Sequence, residues 1–129
     1  MHSQSPPESV HALDLERLRR PEISFWSVWS PDGALMGCGA LKELDARHGE
    51  VKSMRTREAF RGQGVARAVL THILEVARER GYERLSLETG SHPGFVPAVQ
   101  LCTVFDFETC GPFEGYVEDP NSIFMTRRL

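Results

Sequence analysis

The chain has 129 residues, which at about 100–200 residues per domain allows one domain, residues 1–129, and excludes a two-domain enzyme. Lys plus Arg number 15 against 18 Asp plus Glu, a net charge of -3, so no global positive field draws in nucleic acid or an anionic membrane. Hydrophobic residues at 40% and charged residues at 26% exclude a disordered chain, and the longest apolar stretches, residues 33–41 and 95–105, fall short of the roughly 20 residues a spanning helix needs.

The opening residues Met1 to Pro7 carry no basic patch followed by an apolar run, so they do not read as a secretory signal and a cytoplasmic location is expected. Residues 5–19 bring Val10, Leu13, Leu15 and Leu18 into a helical stretch that Pro21 stops. Residues 25–30, rich in aromatic and β-branched side chains, and residues 35–41 read as a hairpin about the turn Pro31-Asp32-Gly33. Gly37 and Gly39 in its second strand predict close approach of another element, with tight packing favoured over ligand contact. Residues 43–49 read as a connector, and residues 50–56 as a third strand in which Val51, Ser53 and Arg55 alternate with Lys52, Met54 and Thr56.

A glycine loop then leads into the strongest helical pattern of the chain, where Ala66, Val69, Leu70, Ile73 and Ala77 share one stripe and Gly81 supplies the stop. Residues 84–89 alternate again, so strand, loop, helix and strand make a βαβ unit with parallel strands. Pro97 suits the first turn of a second helix with Ala98, Leu101, Cys102 and Phe105 on one face, and residues 122–126 close the chain as a strand. The fold class is α/β with a mixed sheet. Cys38, Cys102 and Cys110 form no C-x-x-C pair, and the histidines lack ligand spacing, which predicts reduced thiols and no metal.

Arg61-Gly62-Gln63-Gly64-Val65-Ala66 lies between a strand and a helix N-terminus, where the first N–H groups have no intrahelical acceptor. Glycines at 62 and 64 let a ligand reach those amides, and the helix dipole favours an anion such as a phosphate or pyrophosphate, to which Arg61 and Arg67 could add charge. The loop lacks the Gly-Lys-Ser/Thr of a Walker loop, and Arg67 stands where a dinucleotide fingerprint needs a third glycine.

Arg61-x-x-Gly64-x-Ala66, after a strand of the type Glu-x-x-x-Met, resembles the pyrophosphate loop of the GNAT superfamily of acyl-coenzyme-A-dependent N-acetyltransferases. The resemblance covers residues 24–129 and extends to Phe113, Tyr116 and the tail around Asp119-Pro120-Asn121. It implies a mostly antiparallel sheet with a central βαβ unit and flanking helices. It also implies acetyl-CoA as co-substrate, held by Met54, Arg55 and Thr56 on the strand and by Arg61, Gly62, Gln63, Gly64, Val65 and Ala66 in the loop. The acceptor implied is the primary amine of a small molecule, which attacks directly. An amine of pKa about 10 is mostly protonated at neutral pH, so a base is needed. Glu50 is the first candidate, Glu88 the second, and His48 a weaker one. Trp26, Trp29, Phe95, Phe113 and Tyr116 are candidate walls of the acceptor pocket.

Members of the family often supply a tyrosine and a following glycine on the later helix; here Cys102 and Asp106 stand at those positions. Cys102 is therefore the candidate acid for the leaving thiolate, against the plainer reading of a small buried filler. Asp106 is expected to change how that helix ends, because Asp tolerates positive φ less readily than Gly. The family's first strand and helix are not matched, so either the chain begins late relative to the family or a neighbouring protomer covers the exposed hairpin edge, and a homodimer is the expectation. The alternatives are a non-catalytic acyl-CoA-binding module and a protein or peptide N-acetyltransferase.

Overall fold

Among residues 22–129, which the computed structural model describes, six strands and two helices follow in the order β1 (Ile23–Trp29), β2 (Leu35–Asp45), β3 (His48–Thr56), α1 (Val65–Glu79), β4 (Arg84–Gly90), α2 (Val96–Val104), β5 (Glu108–Cys110) and β6 (Ser122–Arg128). The helix expected at residues 5–19 lies outside the described residues. Among the described residues the sheet runs β1-β2-β3-β4-β6-β5, and of these pairings β3 with β4 alone is parallel. The mixed, mostly antiparallel sheet with a central βαβ unit is thus the observed architecture.

The apolar stripe of α1 explains its position. Val65, Val69, Leu70, Ile73, Leu74 and Ala77 are buried. They form one core with Leu41, Val51, Leu85, Leu87 and Met125 of the sheet, each large apolar side chain contributing about 1.5–3 kcal/mol on burial. A Cβ at Gly39 would lie 2.5 Å from Val69 Cγ1, and one at Gly37 2.7 Å from Val65 Cγ1. The two glycines of β2 therefore serve close packing of α1 on the sheet. Gly81, at φ 84, ends α1, with Tyr82 N–H donating to Ala77 O at 3.0 Å.

Three expectations are corrected. Residues 43–49 are not a connector: β2 and β3 continue through them and turn at Ala46 and Arg47, with Asp45 paired to His48. Leu44 stands alone as a large apolar side chain among Lys42, Glu43 and Asp45, and it is backbone pairing that makes this stretch strand. The alternation in β3 breaks at Ser53, which takes φ 57 while Gly39 falls at a register shift. Asp106 does not alter the helix end: at φ 69 it takes the left-handed position a glycine would hold. There Asp106 N–H donates to Thr103 O and Phe107 N–H to Cys102 O, both at 2.9 Å. Arg127 Nη1 donates to Phe105 O at 2.8 Å and completes that end. The three-residue β5, which pairs with β6, had no counterpart in the sequence pattern.

Candidate active site

The parallel pairing of β3 with β4 stops at Val51 and Leu87. Beyond it β3 stays with β2 as far as Thr56, and β4 stays with β6 as far as Gly90. The two strands therefore part, and the edge of β3 carrying Met54, Arg55 and Thr56 turns toward a gap rather than toward β4. The left-handed Ser53 sits where the strands separate, its carbonyl accepting from Cys38 Sγ at 3.3 Å. A gap between parted strands joins the sheet face under α1 to the opposite face.

At the end of β3 the chain is fixed by Arg57 N–H to Met36 O (2.8 Å), a 3-10 turn at Glu58–Phe60, and Gln63 Nε2 to Ala59 O (3.4 Å). The glycine loop then enters α1 through Gly64, its N-cap, in the left-handed region at φ 83 and ψ 13. Among the described residues, no protein acceptor meets the amides of residues 62–67. A Cβ built on Gly62 or Gly64 would find nothing within 4 Å, so the space in front of these amides is open. Exposed amides at a helix start make a cradle for an anion, and the glycines keep it free of side chains. Arg61 is exposed beside it. Arg67 lies elsewhere: its guanidinium rests 5.6 Å from the centre of the Phe105 ring and, with Thr71, Arg78 and Arg127, lines an open groove of about 390 Å³.

Glu50 lies on the opposite face, buried at 3% exposure. Its Oε2 accepts from the Tyr116 hydroxyl at 2.7 Å and stands 3.7 Å from Lys52 Nζ. Tyr116 packs edge-on against Phe113 (5.2 Å between ring centres) and at a tilt against Phe124 (5.5 Å), and Phe113 lies 6.0 Å from the His48 ring. His48 Nε2 and Ser86 Oγ are 2.7 Å apart, and Ser86 Oγ is 2.9 Å from Thr126 Oγ1. Glu88 is exposed, its carboxylate accepting from Ser122 Oγ at 2.7 Å.

Of the aromatic candidates, Phe113 and Tyr116 gather at Glu50. Trp26 instead packs edge-on against His72 of α1 at 5.1 Å, Trp29 is 58% exposed on β1, and Phe95 covers Gly90. Cys102 is buried in the core with α1, and burial pushes its thiol up to about 11. That thiol stays protonated at neutral pH and is a reluctant proton donor. The hydrogen bond of Tyr116 to Glu50, 66 positions away in the chain, has no sequence signal beyond the aromatic pair Phe113 and Tyr116 in a glycine-containing tail. Among the described residues no group of three or more His, Cys, Asp or Glu could hold a metal ion, and no helix is long and apolar enough to cross a membrane.

The chain matches the Acetyltransferase (GNAT) family over residues 2–103. It is 62% identical to the uncharacterized N-acetyltransferase YsnE of Bacillus subtilis (strain 168), over 100% of this chain and 85% of that protein. A solved structure from Klebsiella pneumoniae, assigned as an acyl-CoA N-acyltransferase, superimposes with a TM-score of 0.83 at 31% identity, covering 96% of this chain and 84% of that one. A GNAT family acetyltransferase of Elizabethkingia anophelis, solved with acetyl-CoA bound, shares the fold at a TM-score of 0.65 and 15% identity, over 85% of this chain and 100% of that one.

Proposed function

The chain belongs to the GNAT acetyltransferase family and is an acetyltransferase; we propose that it takes the acetyl group from acetyl-CoA and gives it to the primary amine of a small molecule by direct attack. The observation that carries this reading is the row of acceptor-free amides at residues 62–67, set beside the gap between β3 and β4. Their donors, the open space over Gly62 and Gly64, and the positive end of α1 fit a diphosphate. The unpaired edge of β3 at Met54, Arg55 and Thr56 suits the amide-bearing pantetheine arm, which can hydrogen-bond to it as an added strand would. In this reading a β3 N–H near Met54 polarises the thioester carbonyl.

Glu50 serves as the base, directly or through one water, and accepts the proton that the amine loses. The amine nitrogen forms a bond to the carbonyl carbon, the carbon–sulfur bond breaks, and the thiolate leaves and takes up a proton. Cys102 is read as packing, because its thiol lies among core side chains. We place the reaction in the cytoplasm, in keeping with three cysteines that form no disulfide among the described residues.

A second reading, a binding module without turnover, is favoured by the burial of Cys102 at the position where the family often has a tyrosine. One experiment separates the two. Purified protein is incubated with acetyl-CoA and a panel of α-amino acids, polyamines, arylalkylamines and short peptides while coenzyme A thiol is measured. Amine-dependent thiol release is the expected result; tight binding with no release from any amine supports the module, and release with peptides alone supports a peptide acetyltransferase.

A further inference from the structure

The segment at 111–121 crosses the sheet face that carries Glu50 and is tied down at several points. Its turn places Glu114 at φ 47 and Gly115 at φ 86, closed by Tyr116 N–H to Phe113 O at 3.0 Å. At its far end Ser91 N–H donates to Asn121 O at 3.1 Å and Ser91 Oγ to Pro120 O at 2.6 Å. The rings of Phe113 and Tyr116 from this segment and Phe124 of β6 pack mutually, with centres 5.2 to 5.8 Å apart. The Tyr116 ring is thereby held, and its hydroxyl reaches Glu50 Oε2 at 2.7 Å.

The two oxygens of Glu50 are not equivalent. Oε2 has the Tyr116 hydroxyl and the Lys52 ammonium, whereas Oε1 has no donor among the described residues although the residue is buried at 3% exposure. A buried carboxylate oxygen without a donor is costly unless a ligand or water supplies one. We infer that Tyr116 is a positioning residue for the transfer reaction: it fixes the Glu50 carboxylate by one oxygen so that the other faces the acceptor amine or the water that relays its proton. The inference rests on the reading of Glu50 as base. It gives the 111–121 segment a function that its own packing does not require, since Phe113 and Phe124 would cover the sheet equally well beside a phenylalanine.

The test is a double-mutant cycle of Tyr116→Phe and Glu50→Gln. Thiol release from acetyl-CoA is followed with the fastest amine of the panel and, in a parallel arm, with water as acceptor. Tyr116→Phe keeps the ring and is expected to lower kcat about tenfold while KM for acetyl-CoA stays within about twofold. In the Glu50→Gln background the same change should alter kcat by less than about twofold, because the group through which it acts is gone. Phe113→Leu, which loosens the ring and leaves the hydroxyl, should give a smaller fall that also vanishes in that background; it carries the test should Tyr116→Phe fold poorly. An equal fall in both backgrounds would mean that Tyr116 acts independently of Glu50, and an unchanged kcat that it does not act at all; either overturns the inference. If Glu50→Gln itself retains the full rate, the base reading is what fails. If the unaltered protein releases no thiol with any acceptor, both fall together.

Discussion

Gly64 offers a direct way to separate backbone strain from ligand contact. It holds φ 83 at the start of α1, and a Cβ there would meet no protein atom within 4 Å. Gly64→Ala therefore costs the protein the left-handed penalty of about 1–2 kcal/mol and no clash. The bound diphosphate would meet the new methyl. Each charge-assisted hydrogen bond from an amide that the methyl prevents is worth about 1.5–3 kcal/mol, so affinity should weaken about tenfold to a hundredfold. Gly33 supplies the control. It sits at φ 91 in the β1–β2 turn, also with nothing within 4 Å of a Cβ, and it lies outside the glycine loop. Thermal melts should show a similar drop for Gly33→Ala and Gly64→Ala, about 3–6 °C per kcal/mol. Calorimetry with acetyl-CoA should show weakened binding for Gly64→Ala alone. Equal affinity in both variants and the unaltered protein would refute the assignment of the loop.

Cys102 keeps its proton to about 11 in the folded state against 9.0 for an ordinary thiol, so the unfolded chain releases it first and stability falls as pH rises from about 9 to about 11. Urea titrations at several pH values should show Cys102→Val lacking this component, at most about 1.4 kcal/mol per pH unit; parallel profiles would contradict it. A fall in kcat of a hundredfold or more for Cys102→Val, with acetyl-CoA affinity intact, would instead restore Cys102 as the acid. Asp106→Gly should stabilise the protein by about 0.5–1 kcal/mol, since it relieves a left-handed non-glycine and gives up only a 4.0 Å approach of Arg127 to an exposed carboxylate; a loss of stability would show that ion pair to matter more. Gly39→Ala, with its Cβ 2.5 Å from Val69 Cγ1, should cost about 1–3 kcal/mol in urea unfolding, and an unchanged midpoint would argue against close packing of α1 there.

What could be read from the sequence was what local pattern determines. The stripe from Ala66 to Ala77 specifies α1 by itself, although the buried face begins at Val65 and not Ala66, and the glycines at 62 and 64 mark where its amides stay open. Non-local pairing was less legible. The ends of β2 and β3 about Ala46 and Arg47 become strand because the two backbones bond to each other, and one Leu44 among charged side chains leaves no periodic trace of that. Ser53 breaks the period-2 reading of β3 at the very place where the sheet parts. The hydroxyl of Tyr116 meets Glu50 only because a segment 66 positions later folds back across the sheet. The helix end at Asp106 misled in the other direction: residue type suggested an altered end, yet Arg127 and the bonds from residues 106 and 107 hold the usual one.

The central claim, that the open amides at the start of α1 hold the diphosphate of acetyl-CoA, is tested most directly by following the backbone amide resonances of isotopically labelled protein during titration with acetyl-CoA. The resonances of Gly62, Gly64, Val65 and Ala66 should move furthest, those of Met54 to Thr56 next, and that of Gly33 should stay in place. Shifts confined to other parts of the chain, such as the arginine-lined groove at Arg78 and Arg127, would contradict it.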